Sequence, residues 1–462
     1  MSPDPVLLAG YAVANQAVGA QLTERGHPVV AADDAPDDRA LSHAGELGIN
    51  LRERPDPEAW LALVANARVM VPTPGLPERH PAFGAAAATG TPIVSELDLA
   101  QRWDSRPTLA VTGTSGKTTV TLLISSMLEA SGIAASVAGN TETPMVEAIR
   151  DPRPAVFVVE ASSFRLGHSR CYRPAVGAWL NFAPDHLDVH ESLASYRAAK
   201  ASLWARAAGG TTAVVNRDDP VVAAHAPRRG RVVEYGLGEG DHRVSGTRPA
   251  AWPGGEYGAG EGDYRVSGEA LWAGSTELVP IAELRRSQPH ELSNALAAAA
   301  VAMAGGAHPD GVRLALRQWV GLPHRMMLVA EHNGVRYYDD SKSTTPHSVR
   351  AAVRSVESAV LIAGGRNKGL DLGAMAEIAG RLRAVVAIGE AAPEVQEAFA
   401  RRCPVVVATS MEEAVSSAAG LARTGDDVLL SPGCASFDWY ESYAQRGDHF
   451  AHLVEELIGG SR

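Results

Sequence analysis

Ala110-Val-Thr-Gly-Thr-Ser-Gly-Lys-Thr118 is the segment whose residue types and spacing most directly imply chemistry. An apolar run enters it and an amphipathic stretch leaves it, the strand–loop–helix setting that a phosphate-binding loop requires. Gly113 and Gly116 let backbone N–H groups turn toward an anion, and the following helix adds the positive end of its dipole. Gly113, Thr114, Ser115, Gly116, Lys117, Thr118 and Thr119 would therefore wrap the phosphates of ATP. Lys117 would reach the outer phosphates, and the Thr118 hydroxyl would face magnesium.

Magnesium takes oxygen ligands, commonly a carboxylate beside substrate phosphates. Glu160 follows the apolar run Ala155–Val159, at the carboxyl edge where ligands gather in doubly wound sheets. Asn181-Phe-Ala-Pro-Asp-His186-Leu-Asp-Val-His190 leaves another strand end, and Lys200 lies on the helical stretch Tyr196–Trp204. Taken singly, an acid at a strand end is often only solvated, a lone histidine structural, and a helical lysine a surface residue.

The elements that must position these residues follow a repeated pattern of apolar run, turn and amphipathic stretch, the signature of parallel α/β units. It begins with Val6–Leu8, a turn at Gly10–Ala12, a helix to about Arg25 and a strand at Val29–Ala32. A second set comprises Thr108–Thr112 with the helix after Lys117, then Ala155–Val159, Val176–Phe182 and Thr212–Val215. A third comprises Val335–Tyr338, Ala359–Ala363, Ala384–Ile388, Val405–Ala408 and Val428–Leu430. Breaks at Trp103–Pro107 and Gly321-Leu-Pro323 divide the chain into residues 1–100, 101–320 and 321–462. The predicted class is α/β: a Rossmann-like N-terminal domain, a central P-loop ATPase-type parallel sheet and a Rossmann-like C-terminal domain. A segment from about Gly236 to Thr276 reads as a surface insertion, most simply a small β element. In it Glu239-Gly-Asp-His-Arg-Val-Ser-Gly246 is echoed by Glu261-Gly-Asp-Tyr-Arg-Val-Ser-Gly268.

A length of 462 residues suits about three domains. The net charge of −11 disfavours nucleic acid and anionic membrane as partners. Cys171, Cys403 and Cys434 show no paired spacing, so neither a disulfide framework nor a zinc site is supported and a reducing cytoplasm is the natural setting. The Ala-rich run Ala295–Gly305 is too short to span a bilayer. A soluble, cytoplasmic, monomeric protein acting on small molecules is expected, with no membrane insertion.

The order of the motifs adds what single residues lack. After the phosphate loop come Glu160 in Glu-Ala-Ser-Ser-Phe, Asp185-His186-Leu-Asp, Tyr196-x-x-Ala-Lys200 and Asn216-x-Asp-Asp-Pro220. His290-x-x-x-Asn294, Gly321-Leu-Pro-His-Arg325, Asp339-Asp-Ser-Lys-Ser-Thr344, Gly364-Gly-x-x-Lys368-Gly and Ser431-Pro-x-Cys-Ala-Ser436 follow. From about residue 108 to 450 this series resembles the Mur ligase family, most of all its glutamate-adding members. Thr73-Pro-Gly75 and Ser95-Glu96 extend the likeness more weakly toward the N-terminus.

The resemblance implies an ADP-forming ligase that joins UDP-N-acetylmuramoyl-L-alanine to D-glutamate through an acyl phosphate, in peptidoglycan precursor synthesis. It implies that Thr118 and Glu160 hold one magnesium, and that His186 and a carbamylated Lys200 support a second. It implies Arg325 for the ATP phosphates, Asp340 for the ribose, Lys342 for the reacting phosphoryl group and Asn294 for the adenine. Lys117, His186, Lys200 and Lys342 are thus the catalytic candidates. Asn140 and Ser162 are expected at the acceptor substrate, and Thr344, Lys368, Ser436 and Phe437 at the glutamate, where a lysine and hydroxyls suit a carboxylate. The UDP moiety is expected near Gly10–Asn15 and Asp33.

Some positions depart from the family pattern. Ser115 stands in place of Asn in the phosphate loop, and Glu142 lies in Gly139-Asn-Thr-Glu-Thr-Pro144 where Gly-Asn-Ile-Gly is usual. Glu291, Met327 and Thr345 replace the usual Asn, Glu and Asn. Because the added charges fall on the acceptor side, a related ligase using L-glutamate or another carboxylate is the alternative.

Overall fold

The computed structural model describes residues 4–141, 143–205, 210–237 and 264–459. The chain forms two compact units: Met1–Phe182, Val189–Ser287 and Glu291–Trp319 make the first, and Ala183–Asp188, Gln288–His290 and Val320–Arg462 the second.

The first unit holds two sheets. One contains β1 (Val6–Ala9), β2 (Val29–Asp33), β3 (Asn50–Glu53) and β4 (Val69–Pro72) in the order β3-β2-β1-β4, with every pairing parallel. The helix Val13–Glu24 follows β1 through Gly10. A Cβ at Gly10 would lie 2.4 Å from the Thr73 Cγ2 atom, and the residue has φ +78°, so only glycine fits that turn. The polar strand β3, Asn-Leu-Arg-Glu, carries no apolar run to announce it.

The other sheet comprises β5 (Thr108–Thr112), β6 (Ala135–Gly139), β7 (Val156–Glu160), β8 (Val176–Trp179), β9 (Thr212–Asn216), β10 (Arg231–Gly236), β11 (Tyr264–Ser267), β12 (Ala270–Ala273) and β13 (Thr276–Pro280). Among the described residues their order is β13-β12-β11-β10-β9-β8-β5-β7-β6. Pairings from β6 to β11 are parallel, and β11-β12-β13 run antiparallel. β5 is buried along its whole length, as a central strand covered on both faces must be. Alternate residues serve the two faces. Leu109 and Val111 pack with Val120, Ile124 and the Ala-rich stretch Ala295–Ala302 of the helix Pro289–Ala304. Ala110 packs on the opposite side with Phe157, Trp179 and Leu203.

Three sequence boundaries shift. β7 includes Glu160 rather than stopping at Val159, and β8 stops at Trp179, leaving Leu180–Phe182 as loop. Of the region expected as an insertion, Gly238–Asp263, including the first echo copy, lies outside the described residues. The remainder is the small β element expected, but β11–β13 extend the sheet rather than stand on the surface, with Tyr264 and Leu271 buried in its core.

The second unit contains β14 (Met327–His332), β15 (Val335–Asp339), β16 (Ala359–Gly364), β17 (Leu382–Ile388), β18 (Val405–Val407) and β19 (Asp427–Gly433). Their order is β14-β15-β19-β16-β17-β18, parallel except for the β14–β15 hairpin. Apolar clusters cover both faces, one around Leu361, Val385 and Leu429 and the other around Val360, Val386 and Val428.

Candidate nucleotide and magnesium site

The phosphate loop joins β5 to the helix Lys117–Ala130. β5 lies between β7 and β8, the place in an open sheet where crossovers diverge and a crevice opens at the strand ends. Gly116 has φ +85°, and a Cβ there would come 2.7 Å from Asn294 Oδ1; Asn294 therefore sits against the loop. Asn181 holds the loop from its other side. Its Oδ1 accepts from Ser115 N at 2.9 Å, its Nδ2 donates to Ser115 O at 3.1 Å, and its carbonyl accepts from Thr114 N at 3.1 Å. Those bonds use the Ser115 backbone, so they do not depend on the side chain at 115. The Lys117 ammonium donates to Gly113 O at 2.9 Å and Thr114 O at 3.1 Å.

Thr118 and Glu160 meet where β7 ends. The Thr118 hydroxyl donates to Glu160 Oε2 at 2.8 Å, and Glu160 Oε1 accepts from Asn140 Nδ2 at 3.1 Å. Asn140 Oδ1 accepts from Arg165 Nη1 at 2.9 Å, and Arg165 Nε donates to Glu96 Oε1 at 2.5 Å. A hydroxyl and a carboxylate facing each other offer hard oxygen donors. Among the described residues no three His, Cys, Asp or Glu side chains form a metal cluster. One carboxylate and one hydroxyl suit an ion that completes its shell with phosphates and water, as magnesium does.

Lys200, on the helix Leu193–Ala205, is only 1% exposed. Its ammonium donates to Gly113 O at 2.7 Å and lies 4.5 Å from the centre of the Tyr196 ring. The Tyr196 hydroxyl in turn meets Thr114 Oγ1 at 3.1 Å. A lone helical lysine would be solvated; the fold places this one in the floor of the phosphate loop. Behind Tyr196, the His190 ring lies tilted against it at 5.1 Å between ring centres, its Nδ1 2.7 Å from Glu78 Oε1 and its Nε2 2.9 Å from Ser163 Oγ. Burial pushes the Glu78 carboxyl up, but the Glu191 N–H and His190 outweigh it and leave the group below the usual carboxylate range. Ser162 is buried and caps the helix Ser163–Gly167, accepting from Arg165 N. Asp185 and His186 fall in the second unit, with His186 Nε2 3.3 Å from Asp185 Oδ2 and a left-handed backbone at His186, φ +56°.

Of the departures, Glu291 is paired with Arg286 Nε, so its charge is compensated locally. Thr345 caps the helix Pro346–Arg354 in a capping box with Ser348, a role an Asn also fills. Met327 starts β14 opposite Asp339. Glu142 lies outside the described residues.

In the second unit Arg325 stands between two residues in the left-handed region, His324 at φ +58° and Met326 at φ +47°, a sharply bent segment. Asp340 is buried and accepts from Ser431 Oγ at 2.7 Å and Met326 N at 3.2 Å. Burial dominates those bonds and raises its carboxyl to about 6. Lys342 Nζ lies 3.7 Å from the centre of the Tyr443 ring. Buried Arg446 spans two loops, donating to Ser341 O at 2.9 Å, Cys434 O at 3.2 Å and Ala435 O at 3.2 Å. It thereby holds the start of the segment bearing Ser436 and Phe437. The Ser436 hydroxyl is buried with no partner among the described residues, whereas Phe437 is exposed. Thr344 and Lys368 are half-buried.

Around β1, a cavity of about 210 Å³ is lined by Gly10, Asp33, Asp34, Trp60, Thr73 and His80, among others. Asp33 accepts from Tyr11 N at 2.5 Å and from Ala35 N at 2.9 Å. Asn15 is buried and donates to Gly10 O at 2.8 Å and Val71 O at 3.0 Å, so it braces the turn from behind. Sequence reading missed Glu78 and Arg165, and it named Asn181 and His190 only as parts of a polar strand-end run without a role; each acts on a residue distant in the chain.

Parallel sheets, a phosphate loop and a strand-end glutamate bonded to the loop's threonine define a P-loop nucleotide enzyme. Residues 111–302 match the Mur ligase middle domain, and residues 324–434 match the Mur ligase glutamate ligase domain. The chain is 42% identical to the UDP-N-acetylmuramoylalanine–D-glutamate ligase of Frankia casuarinae, across 98% of this chain and 94% of that one. It is 36% identical to the ligase of the same name from Thermobifida fusca, across 98% of each. Among solved structures, a pseudomurein peptide ligase type C from Methanothermus fervidus shares the fold at TM-score 0.59 and 17% identity, over 98% of this chain and 100% of that one. The UDP-N-acetylmuramate-alanine ligase of Thermotoga maritima does so at 0.55 and 17%, over 98% and 99%. The chain belongs to the Mur ligase family.

Proposed function

We propose that the protein is an ATP-dependent, ADP-forming ligase that joins D-glutamate to UDP-N-acetylmuramoyl-L-alanine in peptidoglycan precursor synthesis. The observation that carries the chemistry is the Thr118–Glu160 pair, 2.8 Å apart beside the phosphate loop. The choice of substrates rests on relatives of that name that align along 98% of the chain. Pairing of Glu291 with Arg286 removes one of the two charges that favoured another acceptor.

Loop N–H groups, the helix N-terminus and Lys117 would hold the ATP phosphates. Lys117 would exchange the Gly113 and Thr114 carbonyls it now meets for phosphate oxygens. Thr118 and Glu160 would hold magnesium, which supplies charge neutralisation during phosphoryl transfer. The muramoyl-alanine carboxylate attacks the γ-phosphorus to give an acyl phosphate and ADP; the glutamate amine then attacks the acyl carbon and phosphate leaves.

Lys200 is the finer part of the proposal. An ammonium cannot bind a cation, but carbamylation by carbon dioxide turns the nitrogen into the N–H of a carbamate anion. That N–H can keep the bond to Gly113 O, and the new oxygens give Lys200 the anionic ligands a second magnesium needs; His186 is assigned to the same ion from the resemblance alone. Arg325, Asp340 and Lys342 are assigned to the nucleotide, Asn294 to the adenine, and Asn140 and Ser162 to the acceptor substrate. Thr344, Lys368, Ser436 and Phe437 are assigned to glutamate; the Ser436 hydroxyl, buried without a partner among the described residues, supports this, because a buried polar group is normally satisfied. The cavity near Gly10 and Asp33 is assigned to the UDP moiety. Residues 1–100, 101–320 and 321–462 would serve as UDP-binding, ATP-binding and amino-acid-binding domains. Among the described residues no helix is long and apolar enough to cross a membrane; a cytoplasmic monomer is proposed.

Phosphate release from ATP with UDP-N-acetylmuramoyl-L-alanine tests the assignment in three arms: D-glutamate, L-glutamate and no amino acid. Release that requires D-glutamate is the expected result. Release with L-glutamate alone changes the product, and release with neither overturns the acceptor assignment.

A further inference from the structure

A chain of hydrogen bonds leads from the helix Glu96–Trp103 to the phosphate loop. Its members are Glu96, Arg165, Asn140, Glu160 and Thr118, linked at 2.5, 2.9, 3.1 and 2.8 Å. They come from separate stretches of sequence, and Glu96, Arg165 and Glu160 are buried. The helix that carries Glu96 is itself clamped. Asp98, two residues on, accepts from Ser169 Oγ and from the N–H groups of Arg170, Cys171 and Tyr172, all at 2.8 Å. Burial pushes the Asp98 carboxyl up, and those donors outweigh it and hold it below the usual range.

The chain has a direction set by chemistry. A guanidinium only donates, so the Asn140 atom facing Arg165 must be its oxygen and the one facing Glu160 its NH2. That NH2 occupies Glu160 Oε1 and leaves Oε2 turned to Thr118. Glu160, a carboxylate that only accepts, favours the same orientation from the other end, and Arg165 holds the amide oxygen so that the NH2 stays on Glu160 Oε1. Without Arg165 the Asn140 amide would lose the anchor at its oxygen end, and the carboxylate it steadies would be freer to rotate away from Thr118.

We propose that Arg165, anchored by Glu96, is a positioning residue that fixes the amide of Asn140 and so aims the Glu160 carboxylate at the magnesium seat beside Thr118. The inference rests on the reading that Thr118 and Glu160 hold magnesium; it makes no use of the acceptor substrate. The Arg165 guanidinium bonds to Glu96 and Asn140, and acts on the seat through Asn140.

The test is ADP binding by calorimetry to the full chain, in excess Mg2+ and separately in EDTA. Truncating Arg165 alone would strand the buried Glu96 charge, so the variant is Glu96→Gln with Arg165→Met, which removes both charges. The expected result is affinity for ADP in Mg2+ lowered about 10-fold, roughly one lost oriented hydrogen bond, with affinity in EDTA within about twofold of wild type. Equal loss in both buffers would mark a merely structural role and overturn the proposal, as would no loss in either. If the double variant does not fold, Arg165→Lys gives the same comparison: it keeps a charge for Glu96 and loses the planar fork that spans both partners. About a threefold loss confined to the Mg2+ arm is then expected, and equal arms overturn the proposal. If the wild type shows no Mg2+ dependence at all, the magnesium reading itself fails, an outcome separate from these.

Discussion

Asp340 offers a sharp check on the electrostatics of the second unit. Its carboxyl stands at about 6 in the folded chain against 3.8 for an ordinary aspartate, because burial outweighs the bonds from Ser343, Ser431 and Met326. A carboxyl raised on folding binds its proton more tightly in the native state. Its contribution is therefore favourable below the unfolded value and is lost as pH rises through the folded one. The difference of about two units corresponds to about 3 kcal/mol at pH 7.5, and to about 1 kcal/mol at pH 4.5 where the native group is protonated. Asp340→Asn removes the titration and keeps the shape: Oδ1 can accept from Met326 N while Nδ2 donates to the Ser431 hydroxyl, which rotates to accept. Any constant change in hydrogen bonding cancels between the two pH values. The Asn variant should thus gain about 2 kcal/mol on wild type at pH 7.5 compared with pH 4.5. At a urea slope of about 2–3 kcal/mol per molar, the midpoint difference should move by about 0.7–1 M between the two conditions. Urea unfolding of both proteins, followed by circular dichroism, measures it. A midpoint difference that is the same at both pH values would refute the reasoning.

Lys200→Ala should cut turnover at least about 1000-fold, since it removes the group assigned to the second magnesium, with partial recovery in short carboxylates; wild-type phosphate release by this variant would sink the carbamate proposal. Glu78→Gln should be about 1–2 kcal/mol less stable at neutral pH, because the depressed Glu78 carboxyl stabilises above 4.5 and loses its effect as pH falls through its folded value. Thermal unfolding of both proteins should converge in strong acid; a constant gap would show that charge is not involved. Thr345→Ala should lose about 1 kcal/mol with its helix cap and leave the KM for D-glutamate within about twofold. A KM raised tenfold would instead put Thr345 at the substrate.

The phosphate loop, Glu160 and the alternation of strands and helices are local facts, and the sequence alone determines them. Hydrophobic periodicity and glycine placement are written in consecutive residues, so β5, β7 and the helix after Lys117 could be read within a residue or two. The order of motifs likewise needed only the linear chain to name the family. Strands without an apolar run, such as Asn50–Glu53, could not be read, because partners on a sheet rather than their own residues make them strands. Nor could the charge balance of the site. Glu291 reads as an unwelcome charge until the fold sets Arg286 against it. Lys200 reads as a surface lysine when taken singly and as a site residue only through the motif order; its bond to the Gly113 carbonyl comes from the helix Leu193–Ala205. Arg165 reaches Glu96 across 69 positions of sequence, and Asn140 across 25. A hydrogen bond depends on distances of a few ångströms in space, and only tertiary structure brings such distant residues that close.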